Sequence, residues 1–442
     1  MTILPQRPLY RRLAILGAIV GIAVIGLGGW SFYAQHSYGG RIAAIRAAGD
    51  PASIADLQPK RIPADQDAAA QLAAVSARID AFAKEHGQFL MKTPLGKAYD
   101  DKPEGEPATA EQLAAIRAII EKYADVDAAI ARAAACSGYA SRLNYSLPHP
   151  QFLTGLTTSA TAQIRTIARF VRWQMELEIA AGNRDQAVDD GIEVLRLAKS
   201  YESEPGLVSS MLADGVRYNM VDAIYAVLTA GDLSSEGHDK LDQELARHDE
   251  LTSLVHTFKT ERAISIAGME SQLATIPPIV LNTIGLPMRR QQTSILDFYD
   301  HLLPFVTKPW HEAQADPQFR KLFVAPTGLG VLADLLQPGL QAGLVASNRS
   351  VALIRSLRIF NALRRFEVEQ GREPKGLDDL DLPTDAAIDP FSGEPLIVKR
   401  ADGGWLIYSV MKDGKDDGGD FTNQKDVGLG PPRPVEAEST DN

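Results

Sequence analysis

Eight histidines, one cysteine and a few acids set inside apolar helices are the residues from which this chain could build a reactive site. The histidines are His36, His86, His149, His238, His248, His256, His301 and His311. Zinc-peptidase chemistry needs two of them one helical turn apart, with a glutamate between, so that both face one metal. His311-Glu312 starts that pattern, but Ala315 stands where the second histidine belongs. Ser409-Val410-Met411-Lys412 has the serine–lysine spacing of enzymes that use the lysine as a base. Those enzymes place the motif at a helix start, whereas LIYSV reads as a strand and sends the two side chains to opposite faces. The chain has no GxSxG elbow, no Walker loop and no GxGxxG run, and Gly328-Leu329-Gly330 is too short a fragment to cradle a phosphate. Cys136 cannot form an internal disulfide and lies in an alanine-rich stretch, so it reads as a small core residue rather than a nucleophile. Glu176, Glu178, Asp214 and the Glu261-Arg262 pair remain. Helix-to-helix salt bridges or solvated faces explain each of them, and the alternative is a hydrolase assembled from scattered Glu, Asp and His.

The elements that would position them are mostly helical. Leu13 to Tyr33 is a stretch of 21 residues without a charge. At about 1.5 Å per residue it is long enough for a hydrocarbon core of about 30 Å. Arg7, Arg11 and Arg12 precede it, with Trp30 and Tyr33 at the far end, the pattern of a signal anchor with a cytoplasmic N-terminus. A cleaved signal would have an apolar region of about 7–15 residues and a small-x-small site, where Trp30, Phe32 and Tyr33 stand instead. The expectation is therefore a single-pass transmembrane helix over 13–33, residues 1–12 in the cytoplasm and the body in the periplasm or outside, at a bacterial cytoplasmic membrane. Residues 34–63, interrupted by Pro51, Pro59 and Pro63, read as a linker.

Residues 64–343 read as an all-helical body, an antiparallel bundle or irregular solenoid. Leu72, Val75, Ile79 and Phe82 repeat at helical steps, with Gly87 placed to end that helix. A loop is expected over Thr93–Pro107, and Thr109 with Gln112 forms a capping box for the next helix. Further helices are expected over about Ser159–Ala181, after Asn183, over Gly206–Ala230, from Ser234 to about His248, and over Leu251–Leu273. No 34-residue repeat recurs, so this is not a true repeat array. Between Ile276 and Val345 the chain is apolar and rich in Pro and Gly, and it reads as core-closing helices with a possible docking surface.

A different module is expected over 344–429. Val351–Glu369 reads as a strong helix. Two strand-like runs, EPLIVKR and GWLIYSV, follow, joined by the hairpin tetrapeptide Ala401-Asp402-Gly403-Gly404. With Asp389-Pro390-Phe391-Ser392-Gly393, Ile407-Tyr408-Ser409-Val410, Asp413-Gly414 and Gly418-Gly419, this region resembles the soluble domain of the major pseudopilin of type II secretion. The resemblance covers about 85 of the 442 residues. It implies a small α+β pilin-like module with a helix packed on an antiparallel sheet. It also implies a calcium loop, for which Asp413, Asp416, Asp417 and Asp420 are the candidate oxygen ligands. Against an EF-hand, Lys415 and Gln424 occupy positions where acids belong, and a solvated Gly/Asp turn accounts for the same residues. The chain lacks the pilin peptidase site and its helix glutamate, so a polymerising subunit is not expected. The whole chain also resembles uncharacterised bacterial membrane-anchored proteins. Residues 430–442 read as a disordered tail.

A net charge of −11 argues against nucleic acid as a partner, because phosphate binding needs a basic patch. Two functions fit these residues. The first is a non-enzymatic envelope component that binds protein partners at the membrane, with a link to secretion. The second is a hydrolase built from the Glu, Asp and His of the helical body. A deep pocket with converging polar groups would favour the hydrolase, and a filled core beside an apolar groove would favour binding.

Overall fold

The computed structural model describes residues 7–431 except 104, 141, 159, 278–279, 281–285, 325–326 and 328. The helices are α1 Arg7–Ala47, α2 Ala68–Ala73, α3 Ser76–Lys92, α4 Pro94–Asp100, α5 Ala110–Ile120, α6 Ala124–Ala134, α7 His149–Thr158, α8 Ala160–Ala181, α9 Arg184–Tyr201 and α10 Leu207–Ala230. They continue with α11 Ser235–Ala246, α12 Ser253–Leu273, α13 Leu286–Leu302, α14 Trp310–Ala315, α15 Pro317–Leu322 and α16 Val331–Gln370. Three antiparallel strands follow, β1 Ile397–Ala401, β2 Gly404–Ser409 and β3 Val427–Leu429, in the order β1-β2-β3.

Local chemistry sets many of the helix ends. The Thr109–Gln112 capping box starts α5, and the Ser234 hydroxyl accepts from Gly237 N to start α11. Each cap satisfies backbone amides that a helix start leaves without partners. Gly87 does not end its helix: α3 runs on to Lys92, because a lone interior glycine costs only about 1 kcal/mol. Within the expected loop, the Thr93 hydroxyl accepts from Gly96 N and starts α4, with Pro94 in its first turn.

The core centres on α8, α9, α10 and α16. Ala187, Val188, Ile192, Leu195 and Ala198 bury one face of α9. Gly191 lets α9 approach its neighbours, since a methyl there would lie 3.0 Å from Ile224 and 3.2 Å from Met175. Phe82 packs edge-on against Phe170, Trp173 and Tyr123 at centroid distances of 5.0, 5.8 and 5.6 Å. α10 and α16 lie side by side: Leu207 meets Gly343, Ser347 bonds Asp214, and Tyr225 meets Phe360. These pairs advance together along both helices, so the two run parallel. The helix expected over Val351–Glu369 therefore begins at Val331 and is continuous past residues 343 and 344, with Pro338 inside it.

Downstream, the Ala401–Gly404 hairpin forms as expected, with Ala401 paired to Gly404 and Gly403 at φ 91°. Asp389 fastens the module. Its Oδ1 accepts from Phe391 N at 2.8 Å and Ser409 Oγ at 2.7 Å, and its Oδ2 accepts from Val410 N and Ser392 Oγ, both at 3.2 Å. The tail expected to be disordered lies outside the described residues from 432 onward, as do residues 1–6 of the expected cytoplasmic segment.

The expected transmembrane anchor is overturned. Among the described residues no helix is long and apolar enough to cross a membrane. α1 does not stop at Tyr33 but runs to Ala47, and its later part is bound to the body. Tyr38 is buried and its hydroxyl donates to Glu270, while Arg41 pairs with Asp297 at 2.5 Å and Asp300 at 2.6 Å. Trp30, expected in a headgroup layer, lies under the Arg290 guanidinium of α13 at 5.2 Å. The signal-anchor assignment and the bacterial cytoplasmic membrane location, with its cytoplasmic N-terminus and exported body, fall with the expected anchor.

Candidate functional site

The densest gathering of chemically capable side chains lies where α9, α10, α12 and α16 meet. Arg217 and Asp214 sit one turn apart on α10, and both face inward because Ala213, Val216, Met220 and Val221 bury the same side. Arg217 Nη1 donates to Asp214 Oδ1 at 2.7 Å, and Arg217 Nη2 forms a close ion pair with Glu202. Arg217 Nε donates to His248 Nδ1 at 3.1 Å. This bond makes Nδ1 the acceptor and leaves the ring proton on Nε2, which lies 3.4 Å from Glu244 Oε1. On the other side Ser347 donates to Asp214 Oδ2 at 2.9 Å.

Burial governs the charges. It pushes the Asp214 carboxyl up to about 6, while the Ser347 and Ser350 hydroxyls pull it back. It draws the Arg217 guanidinium down to about 10, so both partners are ionised at neutral pH and the pair stands. His248 is held down at about 4, first by burial, and the Arg217 and Lys199 charges add to the effect. The space left between these groups is about 10 Å³, roughly one water probe. This cluster is a filled polar core.

Beside it, sharing Asp214 and Ser350, opens a cleft of about 630 Å³ between α10 and α16. One wall carries Met211, Gly215, Tyr218 and Asn219, and the other runs from Pro338 through Ala342 and Val345 to Arg349 and Leu353. Lys412 and Gln424 close it from the C-terminal module. Met211 and Tyr218 are 41% and 48% exposed, a large apolar area to leave in water on one helix face. The Arg349 guanidinium lies over the Tyr218 ring at 5.1 Å, and its Nε is shielded from solvent without a hydrogen-bond partner among the described residues.

The other residues singled out above have structural employment. Glu176 accepts from Tyr99 at 2.5 Å, Glu178 accepts from Asn183, and Glu261 accepts from Leu207 N at 2.8 Å, which caps α10. Arg262 pairs with Asp50 at 3.1 Å. Ser409 is buried against Asp389 while Lys412 lines the cleft, so the SxxK residues part company as the strand reading required. Cys136 is half-buried, with its thiol raised by burial and by the nearby Asp67 and Asp65 charges. His86 stacks on Trp173, His238 bonds Asn361, His256 bonds Ser203 O, and His311 bonds Pro390 O. Gly328 lies outside the described residues.

The four candidate calcium ligands are spread along a turn. Asp413 accepts from Lys415 N, Asp416 from Tyr408 Oη and Gly418 N, and Asp417 lies 3.5 Å from Lys415 Nζ. Asp420 accepts from Thr422 and from Lys425, which hold its carboxyl well below the usual range. Among the described residues no three His, Cys, Asp or Glu side chains are arranged to hold a metal ion.

Arg349, Tyr218, Glu202 and Arg217 were not singled out from sequence. The available signal was the displacement of Met211 and Tyr218 from the buried stripe of α10. No family model matches this chain, and no curated protein or solved structure does either.

Proposed function

We propose that this protein is a binding protein whose helical body holds a protein partner in the α10–α16 cleft. One contrast carries the reading. The Asp, Glu, Arg and His side chains that could do chemistry pack against one another and leave a space of about 10 Å³ between them, while the adjoining cleft of about 630 Å³ is open and lined by apolar and polar side chains. A hydrolase needs its acid and base within about 3 Å of a substrate atom, and a space for roughly one water admits no substrate. The cleft is within the size range of ligand sites, and its mixed lining suits a partner side chain. It reaches from the helical body to the C-terminal module, so an occupant would touch both.

The test uses a photoreactive amino acid placed at Ala342, inside the cleft, and at Glu236, exposed on α11. The reading expects a discrete protein adduct from position 342 and none from 236. Equal yields from both positions, or turnover of a substrate that Asp214→Asn abolishes, would overturn it.

A further inference from the structure

The cleft has a direction. Along α16 its lining passes from Pro338, Ala342 and Val345 to Arg349, and Lys412 joins the lining from the C-terminal module. Among the described residues, Arg349 and Lys412 form no ion pair with any carboxylate, although most arginines of this acidic chain are paired. Asp214, the one acid in the lining, is already committed to Arg217 and Ser347. The Tyr218 ring supports the Arg349 guanidinium from one side, which fixes its plane while leaving its charge to an outside acceptor.

A second observation falls at the same place. Among the described residues, the non-glycine residues with positive φ are Met411, Asn423 and Gln424, at 55°, 54° and 58°. These are the neighbours of Lys412 and the segment that presents Gln424, the two points where the C-terminal module meets the cleft. Left-handed backbone at ordinary residues costs energy and persists where the surroundings hold it. Here it accompanies the two residues, Lys412 and Gln424, that the C-terminal module brings to the cleft.

From Pro338 to Leu353 the wall spans roughly 22 Å at the helical rise, enough for six or seven extended residues. We propose that the cleft takes an extended peptide segment of a partner protein, with apolar side chains over Ala342 and Val345 leading to a carboxylate at Arg349 and Lys412. This inference rests on the binding reading above and names the chemistry of the partner.

Random heptapeptides displayed on phage, panned against the full chain, provide the test. Recovered peptides are resynthesised with a free C-terminus, as C-terminal amides, and with each acid changed to its amide, so that a terminal carboxylate is told from a side-chain one. The expected peptides carry apolar residues followed by an acid. Neutralising that acid weakens binding roughly tenfold or more, as for a charge-assisted hydrogen bond. Lys412→Ala and Arg349→Gln each remove most of that difference. Lys412 is exposed, so its variant keeps the test valid should Arg349→Gln fold poorly. Ala342→Trp fills the cleft and abolishes binding of every peptide. Peptides that Ala342→Trp blocks but that show no preference for an acid would overturn this inference and leave the binding reading standing. Peptides indifferent to Ala342→Trp, or no recovered peptides at all, would overturn both.

Discussion

His248 offers a quantitative test of whether the polar core is structural. Its side chain is fully shielded, its Nδ1 accepts from Arg217, and burial holds it at about 4, whereas an unfolded chain presents a histidine near 6.5. The sign follows from proton binding. Between these values the unfolded state binds a proton and the folded state does not, so stability is present above pH 6.5 and is lost as the pH falls toward 4. At pH 5 the difference amounts to about 2 kcal/mol relative to pH 7. His248→Asn keeps an acceptor near the Nδ1 position and removes the titration. Urea unfolding followed by circular dichroism at both pH values should show the wild-type chain losing about 2 kcal/mol more than the variant, with matched m-values. Other histidines held low by burial, His86 foremost, add loss of the same sign to both chains and cancel in the comparison. Identical losses in the two chains would show that His248 titrates normally and that the core is open to solvent.

Three other perturbations separate the elements of the account. Arg217→Met strands the buried Asp214 without its counter-charge and leaves Glu202 only Lys199, and should destabilise by about 3–5 kcal/mol in the same urea assay. Asp389→Ala leaves Phe391 N and Val410 N without their acceptor, and should cost about 2–4 kcal/mol and loosen the β1–β2 region in hydrogen exchange. Millimolar calcium should leave the melting temperature unchanged, because Asp413, Asp416 and Asp420 already accept protein hydrogens in their turns. A rise that Asp417→Asn abolishes would show instead that the loop closes on the ion.

What could be read along the chain was what depends on near neighbours. Thr109 with Gln112, Ser234 before α11 and the Asp402-Gly403 turn each act within four residues, so type and spacing suffice. The start of α16 was not legible, because Pro338 and the apolar, glycine-rich run before it look like a boundary. Packing against α10 and α13 carries the helix through that proline. The extent of α1 was not legible either, because the contacts of Tyr38 and Arg41 with Glu270, Asp297 and Asp300, which fasten the helix beyond Tyr33 to the body, come from distant helices. Asp214 was noticed, but Ser347, which bonds it, and Glu202 and His248, which hold its partner Arg217, come from other elements. The cleft was beyond reach for the same reason: its walls come from residues near 215, 345, 412 and 424, and no local pattern encodes their meeting.

The central claim is that the cleft, and not the polar core, is where this protein acts. Ala342→Trp fills the cleft without touching His248, and His248→Asn perturbs the core without lining the cleft. Both variants can be compared with the wild-type chain for yield of the partner adduct formed from a photoreactive group at Met211, with melting temperatures measured in parallel. The account predicts that Ala342→Trp abolishes the adduct while His248→Asn retains it. Loss of the adduct in His248→Asn with retention in Ala342→Trp, both variants being folded, would contradict it.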